Sequence, residues 1–511
     1  MGRIENASRN IFFGYLGNSV TILLGFISRT IFIYTLGVTY LGVNALYTNV
    51  LSVLSLAELG IGTAMNYSLY KPVAERDYEK IKALMRLYKR AYRVIALIVA
   101  IIGLLLVPFL KYIIKDPGNI GIIDLMIYFL LFLFNTVSTY FVSYKYSLVN
   151  AEQKGYIQLN INAITTLITG VAQIIILLLY KNFLLYLLAA AVIGLIQKIY
   201  VNIYLNRLYP YLLDKNVRKL SKEETAPVKK NIVALIYHKI GEVSIYQTDN
   251  IIISLFINIT TVGIISNYNL IITSVSGFIN IIFNSIASSF GNLVATENTD
   301  KQFQTFKIYR FLGFWIYGFS SVAFLTLLSP FITLWIGKKM LITDIVIYLI
   351  IANYYFLGHR IVINNFKIAA GIFDADKYVS ITQAIVNLVL SIVMVKLIGL
   401  PGVYFGTICS GLVSTFIKPR IVYRMAFNVN VWDYYKDSLR FIAVIGFAVI
   451  LLEPLKRTLL VDVTLTTFSI MVACVIVIPN ALFYVFFRNR YEYGYLKDIL
   501  KVRILRRKLK Q

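Results

Sequence analysis

Apolar runs of twenty residues or more follow one another along nearly the whole chain, separated by short polar or charged connections. Runs of that length match the roughly 20 residues a helix needs to cross a hydrocarbon core. They fall near 10–36, 41–68, 91–114, 120–148, 157–180, 183–206, 232–257, 262–294, 307–336, 343–370, 378–397, 401–425, 438–455 and 464–487. Runs this long leave no room for the alternating ten-residue strands of a membrane β-barrel. The pattern predicts an all-α polytopic membrane protein of about fourteen transmembrane helices.

Composition sharpens this. Of 511 residues, 59% are apolar and 14% charged, where soluble domains carry about 25% charged residues. A soluble chain of this size would form two or three domains, and this one has too little charge to coat them. The net charge of +26 would point to nucleic acid in a soluble chain. In a membrane protein it belongs to cytoplasmic loops, so no nucleic-acid partner is expected. Cys409 and Cys474 both lie in apolar runs and offer neither a disulfide framework nor metal-ligand spacing. With only His238 and His359 as histidines, no metal site or cofactor is expected. The segment from Met1 to Asn10, with Arg3 and Arg9, precedes an apolar run too long for a signal-peptide core and reads as a retained first helix.

Loop charges set the expected orientation. Basic clusters occupy the even-numbered connections: 71–93, 207–230, 301–310, 418–440 and the tail 488–510. Odd-numbered connections hold few Lys or Arg. By the positive-inside rule both termini face the cytoplasm. Two basic stretches, "YEKIKALMRLYKRAY" (78–92) and "YLKDILKVRILRRKL" in the tail, read as interfacial helices anchored to anionic headgroups.

A weak repeat runs through the chain. "LGVNALYTN" (41–49) matches "VGIISNYNL" (262–270), setting Gly42 on Gly263 and Tyr47 on Tyr268; "AERDYEK" (74–80) falls on "ATENTDK" (295–301) at the same offset. "KGYIQLN" (154–160) falls on "DKYVSIT" (376–382), and Lys145 on Lys367. An offset of six spans preserves orientation, so the repeats are parallel, related by an axis along the membrane normal. The expected organisation is two pseudo-symmetric six-helix lobes around a central cavity, residues 1–206 and 232–425. A cytoplasmic linker 207–231, two further spans within 426–487 and a basic tail 488–511 complete it. Such duplication suits alternating access.

A charge at the bilayer centre costs at least about 2.5–3.5 kcal/mol, so each needs a partner or a wet cavity. Span 1 places Arg29 on a face with Asn18. Span 7 carries Lys239, Glu242, Tyr246 and Asp249 at helical spacing, and span 10 carries Asn353, Arg360, Asn364 and Lys367 with His359 alongside. Span 4 has Asn135, Ser138 and Lys145; span 2 has Glu58 before Leu59-Gly60-Ile61-Gly62; span 8 is rich in Asn and Ser, including Asn269 and Asn280. The cations Arg29, Arg360, Lys367 and Lys145 outnumber the acids Glu58, Asp249 and Glu242. That balance suits an anionic group, and guanidinium fits phosphate by forked hydrogen bonds. Asn, Ser and Tyr suit sugar hydroxyls. Other readings stand beside this one. Lys145, Lys239 and Lys367 lie near the cytoplasmic ends of their spans, where they can snorkel. Arg29 can pair with Asp249, Glu58 can serve a helix break, and the span 8 asparagines can bond between helices.

The segment "LSLAELGIGTAMNYSLYKPVAERDYEKIKAL" (54–84), with its Glu-Leu-Gly-x-Gly turn and charged loop, resembles the bacterial polysaccharide transporter family of Wzx-type flippases. "SRTIFIYTLGVTYLGVNALYTNVLSVLSLAELG" (28–60) and "YQTDNIIISLFINITTVGIISNYNLI" (246–271) are similar to that family's spans 1–2 and 7–8. The family belongs with lipid II flippases and multidrug extruders in one superfamily. The resemblance implies two six-helix lobes plus two helices in the bacterial inner membrane. It implies translocation of an undecaprenyl-diphosphate-linked oligosaccharide from the cytoplasmic to the outer leaflet, with no enzymatic step. It also implies a monomer working beside the polysaccharide polymerase and glycosyltransferases of its pathway. The family's cationic cavity carries over to Arg29, Arg360 and Lys367, and its acidic positions, which couple to sodium or protons, to Glu58 and Asp249. Two alternatives stay open: a multidrug exporter of the same superfamily, and a membrane glycosyltransferase or polysaccharide polymerase. The first would favour a more acidic cavity. The second would need catalytic carboxylates or His in a large outer loop.

Overall fold

The computed structural model describes residues 3–55, 58, 61–214, 216–226, 247–372 and 374–498. Among these there is helix and no strand. The labelled helices are α1 (Arg3–Leu36), α2 (Val38–Leu54), α3 (Ile61–Glu75), α4 (Tyr78–Leu106), α5 (Ile122–Ala151), α6 (Tyr156–Tyr180) and α7 (Phe183–Leu208). They continue with α8 (Ile259–Thr296), α9 (Thr299–Ile336), α10 (Asp344–Ala369), α11 (Lys377–Ile398), α12 (Leu400–Val422), α13 (Trp432–Leu459) and α14 (Leu465–Phe487). Among the described residues, twelve helices are long and apolar enough to cross a membrane. The second expected span is broken into α2 and α3, each short. The seventh, 232–257, lies largely outside the described residues, which take it up as helix from 247 to 256. The tail helix expected beyond residue 498 also lies outside them.

One sequence expectation is corrected. The segment 78–92 is not a separate interfacial helix but the first half of α4, continuous with span 3. Asp77 caps it, accepting from the Lys80 backbone N–H at 2.9 Å, and no Gly or Pro interrupts the chain before Gly103. The helix formers of 78–92 run straight into an apolar stretch, where lipid requires the backbone bonds to close within the helix, so nothing stops it at the interface.

The repeat appears in the helix boundaries. Helix starts at Val38 and Ile259, Tyr78 and Thr299, and Tyr156 and Lys377 are each 221 residues apart. The caps repeat as well: Asn298 accepts from Lys301 N–H, as Asp77 does from Lys80. Most telling is a contact between equivalents. Thr39 and Thr260, 221 residues apart, meet hydroxyl to hydroxyl at 3.1 Å. A Cβ on Gly42 would lie 2.0 Å from the Ile259 carbonyl oxygen, and one on Gly263 would lie 2.1 Å from that of Val38. Only glycine lets these two backbones cross so closely.

The chain forms two compact units, Met1–Leu270 and Ile271–Gln511. In the first, α1 packs on α6, while α5 packs on α3, α4 and α7. The turn between α6 and α7 is two residues, left-handed Lys181 and then Asn182, whose side chain caps α7. In the second, α11 and α12 form a tight hairpin in which Gly406 faces the Ser391 backbone. Helix α10 packs on α9 and α12, and α9 also packs on α13 and α14. That last packing is aromatic: Phe314 stacks on Phe441 with ring centroids 4.0 Å apart, and Phe483 and Phe487 close around them.

Gly42→Ala or Gly263→Ala should force α2 and α8 apart, because the nearest atoms are backbone. Overpacking of this kind costs about 1–3 kcal/mol. The expected result is a melting temperature several degrees lower in detergent, with Gly446→Ala, which meets nothing within 4 Å, unchanged or higher. Equal melting of all three would contradict the close crossing.

Candidate functional site

The basic stripe of α4 builds one wall of a cavity of about 950 Å³ within the first unit. Spacings of four, three, one and three residues put Lys82, Arg86, Lys89, Arg90 and Arg93 on one helical face, opposite the buried Ile81, Leu84, Tyr88 and Ile95. Helix α5 adds Ser138 and Lys145, α7 adds Lys198, Asn202 and Asn206, and the stretch after α7 adds Asp214 and Val217. Seven cations thus face one acid. That acid is engaged at the rim: Lys82 Nζ donates to Asp214 Oδ2 at 2.9 Å. The Lys82 ammonium, with the backbone N–H of Asn216, holds the Asp214 carboxyl below the usual range. Farther along, Arg218 forks onto Glu224 at 2.8 Å through both nitrogens, and with the Ser221 N–H lowers that carboxyl to about 2.

Deeper in, the cations rest on neutral oxygens. Lys145 Nζ donates to Asn202 Oδ1 at 2.5 Å and Asn206 Oδ1 at 2.6 Å. Lys198 Nζ donates to Asn135 Oδ1 and Ser138 Oγ, both at 2.7 Å, and to the Asn135 carbonyl at 3.0 Å. The span 4 stripe Asn135, Ser138, Lys145 read from the sequence is therefore real, but two of its members hold Lys198. Sequence reading missed Lys198. Its signal was the four-residue spacing Lys198, Asn202, Asn206 in an otherwise apolar helix.

Other expected residues of this unit are placed apart from the cavity. Arg29 Nη1 donates to Ser266 Oγ at 2.6 Å, and that hydroxyl donates to the Gly263 carbonyl. Asn49 bonds Gln247 and accepts from Asn250 at 2.8 Å, tying α2 to the helical residues 247–256 that carry Asp249. Glu58, between α2 and α3 in the chain, is helical, its N–H on the Ser55 carbonyl, with Tyr92 and Tyr140 beside it. Lys239, Glu242 and Tyr246 lie outside the described residues, as does the side chain of Asn18. Asn269 is in α8 within this unit.

In the second unit, Arg360 is buried and donates to the carbonyls of Phe356 and Gly411, at 3.0 and 2.7 Å. The Asn353 amide oxygen also faces Gly411. Lys367 does not snorkel: it is sealed in an ion pair with Asp376, itself fully buried. Asn364 accepts from Lys418 at 3.1 Å, and Asn280 is exposed. His359 bonds Ser438 at 2.9 Å and stacks on Tyr355. Ser438 also takes a bond from Arg310, which sequence reading left in a cytoplasmic loop. Arg310 is buried over the Tyr434 ring at 3.8 Å.

Several solved structures with this fold are described as flippases or transporters. One is described as the lipid II flippase MurJ in an inward closed conformation: 15% identity, covering 94% of this chain and 99% of that one, TM-score 0.65. Another is the MATE multidrug transporter DinF-BH, at 16% identity over 83% and 96% of the two chains, TM-score 0.58. The Vibrio cholerae MATE transporter VcmN matches at 13% identity over 84% and 99%, TM-score 0.57. No family model matches the chain, and no curated protein sequence matches it. At these identities the likeness establishes the fold, and with the twelve candidate spans among the described residues it is that of a multi-pass membrane protein.

The two repeat-equivalent lysines should respond differently to substitution. Asp376→Asn removes the counter-charge paired with the buried Lys367 and should cost about 3–5 kcal/mol. Lys145→Met removes a charge held only by neutral groups and should change stability by less than about 1 kcal/mol. Thermal unfolding in detergent reads both, and equal losses would contradict the assignment.

Proposed function

We propose that the chain is a flippase that moves undecaprenyl-diphosphate-linked oligosaccharide units from the cytoplasmic to the outer leaflet of a bacterial inner membrane. It works by alternating access, in polysaccharide biosynthesis, and carries out no chemistry itself. The observation that carries this reading is that, among the described residues, Arg29, Lys145 and Lys198 sit in helices apolar enough to cross a membrane and donate to neutral oxygens. An anionic diphosphate would supply the missing counter-charge by charge-assisted hydrogen bonds. Similarity of fold to a lipid II flippase supports the substrate class. Arg29 is the guanidinium of the first unit assigned to the diphosphate. An inside-negative potential favours outward movement of each negative charge by about 2.3 kcal/mol per 100 mV. Coupling to sodium or protons is assigned to Glu58 and Asp249. A cationic drug would meet repulsion at the same positions, which disfavours the multidrug reading.

The test is the leaflet location of the lipid-linked oligosaccharide in native cells depleted of this protein. Accumulation on the cytoplasmic side is expected, reversed by wild type. Arg29→Ala, shown to be inserted and folded, should restore outward movement at least about tenfold less well, the loss of a hydrogen bond to a charged group. An unchanged leaflet distribution in cells without a redundant transporter would sink the reading.

A further inference from the structure

The cavity in the first unit has two surfaces of opposite character. One is the basic wall of α4 together with Lys145 and Lys198. The other is apolar and open: Phe141 is 54% exposed, Ile199 52% and Leu195 39%. All three belong to helices long and apolar enough to cross a membrane, so these side chains meet lipid tails. A pocket for a free soluble anion has no use for such a wall. Lys198 lies ten residues before the end of α7 and Ser138 thirteen before the end of α5. The cavity therefore follows about 15–20 Å of helix from the basic ends inward. Its volume of about 950 Å³ falls in the usual range for a small-molecule site.

We propose that this cavity binds the phosphate headgroup of a lipid from the leaflet on the side of the basic connections. The phosphate lies against Lys145 and Lys198, and the hydrocarbon chain runs along Phe141, Leu195 and Ile199. Basic pockets between membrane helices on that side take up anionic headgroups. Here the receiving groups are preset: with their oxygens on Lys145, Asn202 and Asn206 keep their N–H donors for the ligand. Arg86 and Arg90 on the rim gather the headgroup, and the Lys82–Asp214 contact holds the chain after α7 beside the mouth. The site lies wholly within the first unit, and the proposal holds whether or not the chain moves an oligosaccharide lipid.

Native mass spectrometry of the purified full chain, titrated with defined lipids, tests it. The probes are phosphatidylglycerol, undecaprenyl phosphate, phosphatidylcholine as neutral control, and inorganic pyrophosphate. Either phosphate lipid is expected to be retained at least tenfold more tightly than phosphatidylcholine. Lys145→Met and Lys198→Met, checked for wild-type melting, should each lose about tenfold, and Arg90→Gln about threefold. Equal retention of both phosphate lipids identifies a resident phospholipid site. A tenfold preference for undecaprenyl phosphate identifies a site for the carrier lipid. Both outcomes uphold a lipid-phosphate site. Retention unaffected by the lysine variants would overturn it, as would equal binding of phosphatidylcholine. Binding of pyrophosphate with no retention of either phosphate lipid would overturn it too.

Discussion

A cation inside the hydrocarbon layer persists only where something replaces water around it, and this chain meets that demand in two ways. Lys145 in α5 and Lys367 in α10 fall on one another in the sequence repeat, and both are buried. Lys367 is cancelled by Asp376. Lys145 is held by two asparagine oxygens, which solvate the ammonium and leave its charge intact. Neutral partners are the weaker arrangement for stability, since hydrogen bonds recover only part of the desolvation penalty. A field left standing in the first unit thus carries a cost that a purely structural lysine would not, and sites that sacrifice stability in this way are commonly functional.

The rest of the architecture follows from duplication. Two backbones related by the repeat approach so closely at Gly42 and Gly263 that neither tolerates a Cβ. Equivalent residues, Thr39 and Thr260, bond to one another across the same crossing. Contact between equivalents is what a local two-fold produces on its axis. The caps at Asp77 and Asn298 start α4 and α9 at equivalent points, so the extended helices beyond the apolar spans are also inherited features. In the first unit that extension bears the five-cation stripe facing the cavity.

Much of this was legible in the chain. Long apolar runs located the membrane helices because burial in lipid imposes length on every span. The offset of Gly42 and Gly263 was visible because close packing tolerates few substitutions. Partnership was not legible. Whether Lys367 snorkels or pairs depends on Asp376, nine residues away across a turn, and the burial of Arg310 depends on Tyr434 and Ser438 far along the chain. Lys198 was passed over because its spacing with Asn202 and Asn206 marks a polar stripe but not the acceptors on α5 that hold it. Helix continuity at 78–106 was missed because the change from amphipathic to apolar character looks like a boundary, while the backbone has no reason to stop.

In the function proposed above, the positive charge that Arg29, Lys145 and Lys198 carry on neutral partners, among the described residues, selects an anionic lipid-linked cargo. Purified protein in proteoliposomes, loaded with labelled polyprenyl carriers that differ only in the headgroup linkage, tests it most directly. Transfer between leaflets is expected to be fastest for the diphosphate, slower for the monophosphate and at the protein-free rate for a neutral glycosyl lipid. Transfer at equal rates for charged and neutral headgroups, or faster for the neutral one, would contradict it.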